Sequence, residues 1–224
     1  MPNVKALLTL LQHGDTLFPS GATAFSWGLE TLYGDGLLQT AVDIESFLQG
    51  QLAQRWNTCD RVALTRSYGA VDDLDRVAVY DAELETLALA RELREGSRRA
   101  GATLLRVHGQ LGTPQADAYR GRVSKGLARG HVAVVQGLIW HGVGMSLQDA
   151  QVTSAHTLCL GVVGAAIRLG IIGHIDAQKI LQAAHATIDE LLLTEAGDVL
   201  SSFVPASEIA MMRHEAGLSR LFAN

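Results

Sequence analysis

Eight histidines, two cysteines and scattered carboxylates are the side chains of this 224-residue sequence that could ligate a metal or move a proton. The histidines are His13, His108, His131, His141, His156, His174, His185 and His214, and no two lie three or four residues apart. No single helix can therefore present a His pair to one ion, and a metal site would have to be assembled between distant segments or subunits. Cys59 and Cys159 are far apart and neither belongs to a Cys-x-x-Cys pair. They give no disulfide framework and no zinc signature, and point to a reducing compartment. The acid pairs Asp72/Asp73 and Asp189/Glu190 read as helix-terminal or solvated charges. Phosphate loop, nucleophile elbow and dinucleotide fingerprint are all missing from the sequence. The reading assigns no catalytic residue, no metal ligand and no cofactor, so a non-enzymatic protein is expected.

Charge is unevenly placed along a chain whose formal net charge is -5. Residues 91–130 hold nine basic side chains, Arg91, Arg94, Arg98, Arg99, Arg106, Arg120, Arg122, Lys125 and Arg129, against Glu92, Glu95 and Asp117. No aromatic or Gly-rich RNA-binding signature interleaves with them, so they read as a solvated helix face and not as a nucleic-acid surface.

The elements that would position these groups are helices. Hydrophobic residues make up 48% of the chain and aromatics 5%, so Leu, Ala and Val carry the apolar mass, which suits close helix packing. Between Gly130 and Arg168 the only formally charged side chain is Asp149. That stretch predicts two buried helices with a break at Gly142 to Ser146, where Ser146 can cap the second helix. Gly161, Gly164, Ala165 and Ala166 leave a flat surface for close approach of another backbone. A membrane span needs about 20 consecutive apolar residues, and Gln136, His141, Gln148, Gln151 and His156 interrupt the run. The pair is expected in the core of a soluble protein.

Further helices are predicted from Asn3, from Ser20 through Phe25, Leu29 and Leu32, and from Thr40 with Asp43 in its first turn. Asn57-Thr58 is expected to interrupt that third helix ahead of Cys59 to Tyr68. Others follow from the Asp72–Asp75 link, from about Ala88 to Val107, from Thr113-Pro114, from Asp176, and from Ser207 beyond Pro205. Gly96 and Gly101 inside the charged helix cost about 1 kcal/mol each relative to Ala, which signals close contact along that side. No convincing alternating strand appears. The fold class is all-α: one domain over residues 1–224, of roughly nine to eleven helices packed around a central buried helical pair.

Several blocks, taken together and in order, resemble the urease accessory proteins of the UreF type. Asp15-Thr-Leu-Phe-Pro-Ser-Gly-Ala-Thr-Ala-Phe-Ser-Trp-Gly-Leu-Glu30 is similar to that family's Phe-Pro-x-Gly-(x)4-Ser-x-Gly-Leu-Glu signature. The other blocks are Glu92 to Gly101, His131 to Gly137, Ala165 to Gly170, Asp176 to Leu181, and Met212-Arg-His-Glu-(x)3-Ser-Arg-Leu-Phe222. The resemblance implies a cytoplasmic, all-helical homodimer without turnover of its own. It would join UreD (called UreH in some systems) to the GTPase UreG in the complex that delivers nickel to apo-urease. It places Ser26, Glu30, Tyr33 and Arg168 on the UreG side, and His214, Glu215, Arg220 and Phe222 on the UreD/UreH side. Two rival roles stay open at this level: a GTPase-activating factor for UreG, to which an arginine could contribute, and a nickel-binding chaperone.

Overall fold

The low-charge run from His131 to Arg168 forms the centre of the molecule, because helices with so little charge must be covered on most sides. The computed structural model describes residues 4–20 and 25–215. Their elements are α1 Val4–Gly14, α2 Leu29–Gly34, α3 Ala41–Gln51, a π-helical segment Leu52–Asp60, α4 Arg61–Tyr68 and α5 Leu74–Leu87. There follow α6 Arg91–Gln110, α7 Ala116–Ser124, α8 Val132–Gly142, α9 Leu147–Arg168, α10 His174–Leu192 and α11 Pro205–His214. Since α3, the π segment and α4 run on without a break, the described residues form ten continuous helices, and none of them is in a strand. The fold is all-α.

In α8, every residue from Ala133 to Trp140 is buried. Such all-round burial requires backbone-to-backbone approach, and the glycines supply it. A Cβ on Gly137 would lie 2.3 Å from the Leu64 carbonyl oxygen of α4, and one on Gly101 of α6 would lie 2.0 Å from the Gly130 oxygen. Ser67 Oγ donates to the Val134 carbonyl across the first of these contacts, at 3.0 Å. Gly96 admits the Phe25 ring in the same manner, with a built Cβ 2.0 Å from its edge. The helix-interior glycines of α6 are thus contact points, as their cost implied.

Ser146 caps α9, its hydroxyl accepting from the Asp149 amide at 3.1 Å, after a turn in which Gly144 takes φ 82°. By length and composition α9 could cross a membrane, but 61% of its most apolar window is buried inside the fold. It is the core helix of the bundle. Around the α8–α9 pair lie two apolar clusters. One gathers Leu64, Leu105, Tyr119, Val134, Ile139 and Trp140; the other gathers Leu29, Ile44, Leu48, Trp56, Val162 and Ile180.

Thr40 opens α3 with a complete capping box, accepting from the Asp43 amide while Asp43 accepts from the Thr40 amide at 2.8 Å. The interruption expected at Asn57-Thr58 does not occur; the chain stays helical but widens to a π turn. The physical reason lies in residues 199–204. Ser201 N donates to the Thr58 carbonyl at 2.9 Å and Phe203 N to the Gln54 carbonyl at 3.0 Å, so an extended segment takes up acceptors of the widened turn. Arg61 then ties α4 to the far end of α10 through the Leu191 and Thr194 carbonyls, at 2.8 and 2.6 Å.

Other boundaries differ from the sequence reading. Phe25 does not belong to a helix capped by Ser20, because α2 begins only at Leu29, after Trp27 and Gly28 adopt positive φ. Helix α7 starts at Ala116, since Gln115 takes φ 64° after Thr113-Pro114. Pro205, not Ser207, heads α11; the Ser207 hydroxyl instead donates to the Trp27 carbonyl at 2.6 Å. The Asn3 cap lies outside the described residues.

Candidate partner-binding site

Helix α2 is too short to hold a position by itself, and three contacts with α11 fix it. Ser207 bonds the Trp27 carbonyl, Arg213 forms a two-pronged pair with Asp35, and His214 Nε2 lies 3.1 Å from Glu30 Oε2. Gly28, at φ 81°, lets the helices meet: a Cβ there would lie 2.7 Å from the Ser207 oxygen. His214 also reaches α6, with Nδ1 2.9 Å from Glu92 Oε2. Both ring nitrogens therefore face carboxylates. His214 and Glu92 are each 6% exposed. Next to them Glu215 accepts from the Glu92 amide at 3.1 Å and pairs with Arg91 at 3.6 Å. A carboxylate there occupies the positive end of α6.

This junction brings together residues that the family resemblance assigned to opposite partners. Glu30, of the UreG set, and His214, of the UreD/UreH set, are in direct contact. Ser26 is fully buried just ahead of α2, its carbonyl accepting from the Leu29 amide at 2.9 Å. Tyr33 is half-buried on α2, and its carbonyl accepts from the Gln39 side chain at 3.1 Å. Arg220 and Phe222 lie outside the described residues.

Arg168 belongs to a different place. It is exposed at the end of α9, on a groove of about 240 Å³ that His13, Asp15, Thr16, Ser20 and Gly164 also line. Partial burial lowers its pKa from the usual guanidinium value. Among the described residues, Trp27 covers the small-residue stripe of α9 at Gly161, and no atom lies within 4 Å of a Cβ built on Gly164.

Two polar centres were not anticipated. Asp81 is fully buried and accepts from the Tyr119 hydroxyl at 2.8 Å and from the Arg129, Gly130 and His131 amides at 2.8, 2.6 and 2.9 Å. It fixes the turn that leads into α8, and burial beside its charge pushes the Tyr119 pKa up. The signal was a carboxylate at a core position of α5, in register with Val77 and Leu84. The second centre is in the π segment, where Arg55 and Asp60, five residues apart, pair at 3.4 Å beside a cavity of about 60 Å³. Arg55 also lies over the Trp27 ring, 5.5 Å from its centroid. Burial raises the Asp60 pKa, and Arg55 opposes that shift.

Both cysteines are buried, which pushes their thiols up to about 12 and leaves them unreactive. Among the described residues no group of three or more His, Cys, Asp or Glu side chains could hold a metal ion. Much of the basic stretch is engaged internally, as in Arg98 with Glu85, Arg122 with Asp75 and Arg99 with Glu95.

A family model for UreF matches residues 38–185 of this chain. The urease accessory protein UreF of Trichodesmium erythraeum is 34% identical, over 99% of this chain and 98% of that protein. Its counterpart from Paenarthrobacter aurescens is 31% identical over 96% of each chain. That from Lachnoclostridium phytofermentans is 29% identical over 96% of this chain and 97% of its own. The likeness therefore extends beyond the matched core to both ends, where the Phe-Pro segment and α11 sit, and the chain belongs to the UreF family.

Proposed function

We propose that this chain is a non-catalytic, cytoplasmic scaffold of urease maturation. As a homodimer it joins UreD (UreH) to the GTPase UreG, and the assembly delivers nickel to apo-urease. The observation that carries the reading is the likeness to urease accessory proteins over nearly the whole chain. Exposed apolar side chains support it. On α1, Val4, Leu8 and Leu11 are 66%, 60% and 57% exposed, and around α11 Phe203 and Ile209 are 73% and 53% exposed. Apolar surface on this scale suits helices that are covered by other chains.

In this reading Ser26, Glu30 and Tyr33, with Arg168 on its separate groove, serve the UreG side. His214 and Glu215 lead into the tail of Arg220 and Phe222, which serves UreD. Because Ser26, Glu92 and His214 are buried, these residues act by holding α2, α6 and α11 in place rather than by touching a partner. The internal pairing of Arg98 and Arg122 favours a scaffold over an arginine-donating GTPase activator.

Co-purification of the chain with UreD and with UreG tests the reading. Complexes are expected with both, with UreG turnover unchanged on binding. Failure of both to bind at micromolar concentration would end the scaffold proposal, and faster GTP hydrolysis would replace it with the activator.

A further inference from the structure

Distant segments of this chain do bring two histidines together. His156 of α9 and His185 of α10 face one another with ring centroids 6.2 Å apart and planes inclined by 43°. They stand where two openings meet. A cleft of about 750 Å³ between α1, α9 and α10 is lined by both rings together with Asp15, Gln148 and Asp189. A second hollow is lined by both rings with Gln178, Lys179 and Gln182. His156 is half-buried against the turn after α1, and His185 is exposed.

We propose that His156 and His185 form a site for one divalent transition-metal ion of the class that prefers imidazole, such as zinc, nickel or copper. A ~2.0–2.1 Å metal–nitrogen bond puts each ring centroid about 3 Å from the ion, so two rings at a tetrahedral angle lie about 5 Å apart, roughly 1 Å closer than the 6.2 Å seen here. Rotation about the side-chain bonds of the exposed His185 closes that difference and lets one ion reach both rings. The protein supplies two nitrogens, since no third His, Cys, Asp or Glu of the described residues joins them closely enough to form a larger set. Water completes the coordination, for which the open cleft has room.

The surrounding charge suits a cation. Asp189 lies one turn beyond His185 on α10, and Asp15 comes from the turn after α1. The one basic side chain lining either opening, Lys179, is paired with Asp176 at 3.5 Å. This site stands whether or not the chain bridges other proteins.

Isothermal titration of the full chain, without an added histidine tag, with zinc chloride and separately with nickel chloride tests it. One ion per chain is expected for each metal, with no competition from magnesium, which prefers oxygen ligands. His185→Gln changes an exposed side chain, so the fold is retained. It is expected to weaken binding by at least the ~10–100-fold that losing an outer-shell partner already costs. Copper should broaden the NMR signals of the His156 and His185 rings before those of the other histidines. No uptake of either metal at millimolar concentration would overturn the site, as would an affinity unchanged in both His185→Gln and His156→Gln.

Discussion

Acidification should unfold this protein through a histidine that no partner touches. His108 on α6 is fully buried, its ring stacked on His13 at 5.2 Å and close to Phe18 at 5.6 Å. Nδ1 meets Thr113 Oγ1 at 2.9 Å, while Nε2 has no hydrogen-bond partner among the described residues. Burial first, and the neighbouring His13 second, bring its pKa from 6.5 to about 4. The folded value lies below the unfolded one, so its neutral form costs nothing above pH 6.5, and stability is lost as pH falls from there towards 4. At pH 4.5 the unfolded chain holds about three-quarters of a proton more at this site than the folded chain. The loss accumulated by then is about 2.5 kcal/mol. Urea titrations of wild type and His108→Phe at pH 7.5, 6, 5 and 4.5 measure it. Phe keeps the ring stack and loses the Thr113 bond, so the variant is expected to be about 1 kcal/mol less stable at pH 7.5. By pH 4.5 the difference should have moved by about 2.5 kcal/mol in favour of the variant, because other groups titrate alike in both. A difference that stays constant across this range would refute the reasoning.

Removing the ring in His214→Ala leaves the Glu30 and Glu92 carboxylates facing a lost donor, and about 3 kcal/mol of stability should go with it. Hydrogen exchange should then accelerate first in residues 205–214. Gly101→Ala forces a methyl to within 2.0 Å of the Gly130 oxygen, and a loss of about 1–3 kcal/mol is expected in the same denaturation assay. Asp81→Asn replaces an acceptor of four bonds with a group that must also donate, so about 2–3 kcal/mol should be lost and Tyr119 fluorescence should change. The double change Leu7→Asp with Leu8→Asp falls on side chains 52% and 60% exposed. Stability should hold within about 0.5 kcal/mol, while co-purification with whichever partner covers α1 should fail.

The central helix pair was legible because it rests on composition: one charge in nearly forty residues admits few environments. Caps were legible where one side chain decides them, at Thr40 and Ser146. The π segment was not, because its cause is an extended stretch some 145 residues further along, and no local pattern in Gln54 or Thr58 announces it. The same holds for the junction at Glu30, His214 and Glu92. The ordered family blocks named all three of its residues, yet spacing could not reveal that the ends of the chain meet on the first turn of α6. Arg168 was separated from the other site residues for the same reason, since it sits at the far end of α9.

The widened turn at Leu52–Asp60 also governs how the two cores can change over time. Up to Trp56 the rod's buried residues serve the cluster with Val162 and Ile180, and from Cys59 onward they serve the one with Val134 and Ile139. The same residues wound as an ordinary α-helix, with no widening to absorb the extra one, would rotate everything downstream by about 100°. That rotation would swing Val62 and Leu64 away from α8 and tear Arg61 from its carbonyls. The loss of one residue that takes the widening with it is therefore the length change both cores can absorb, whereas a change that tightens this stretch at full length should be rejected even where the altered side chain does nothing by itself.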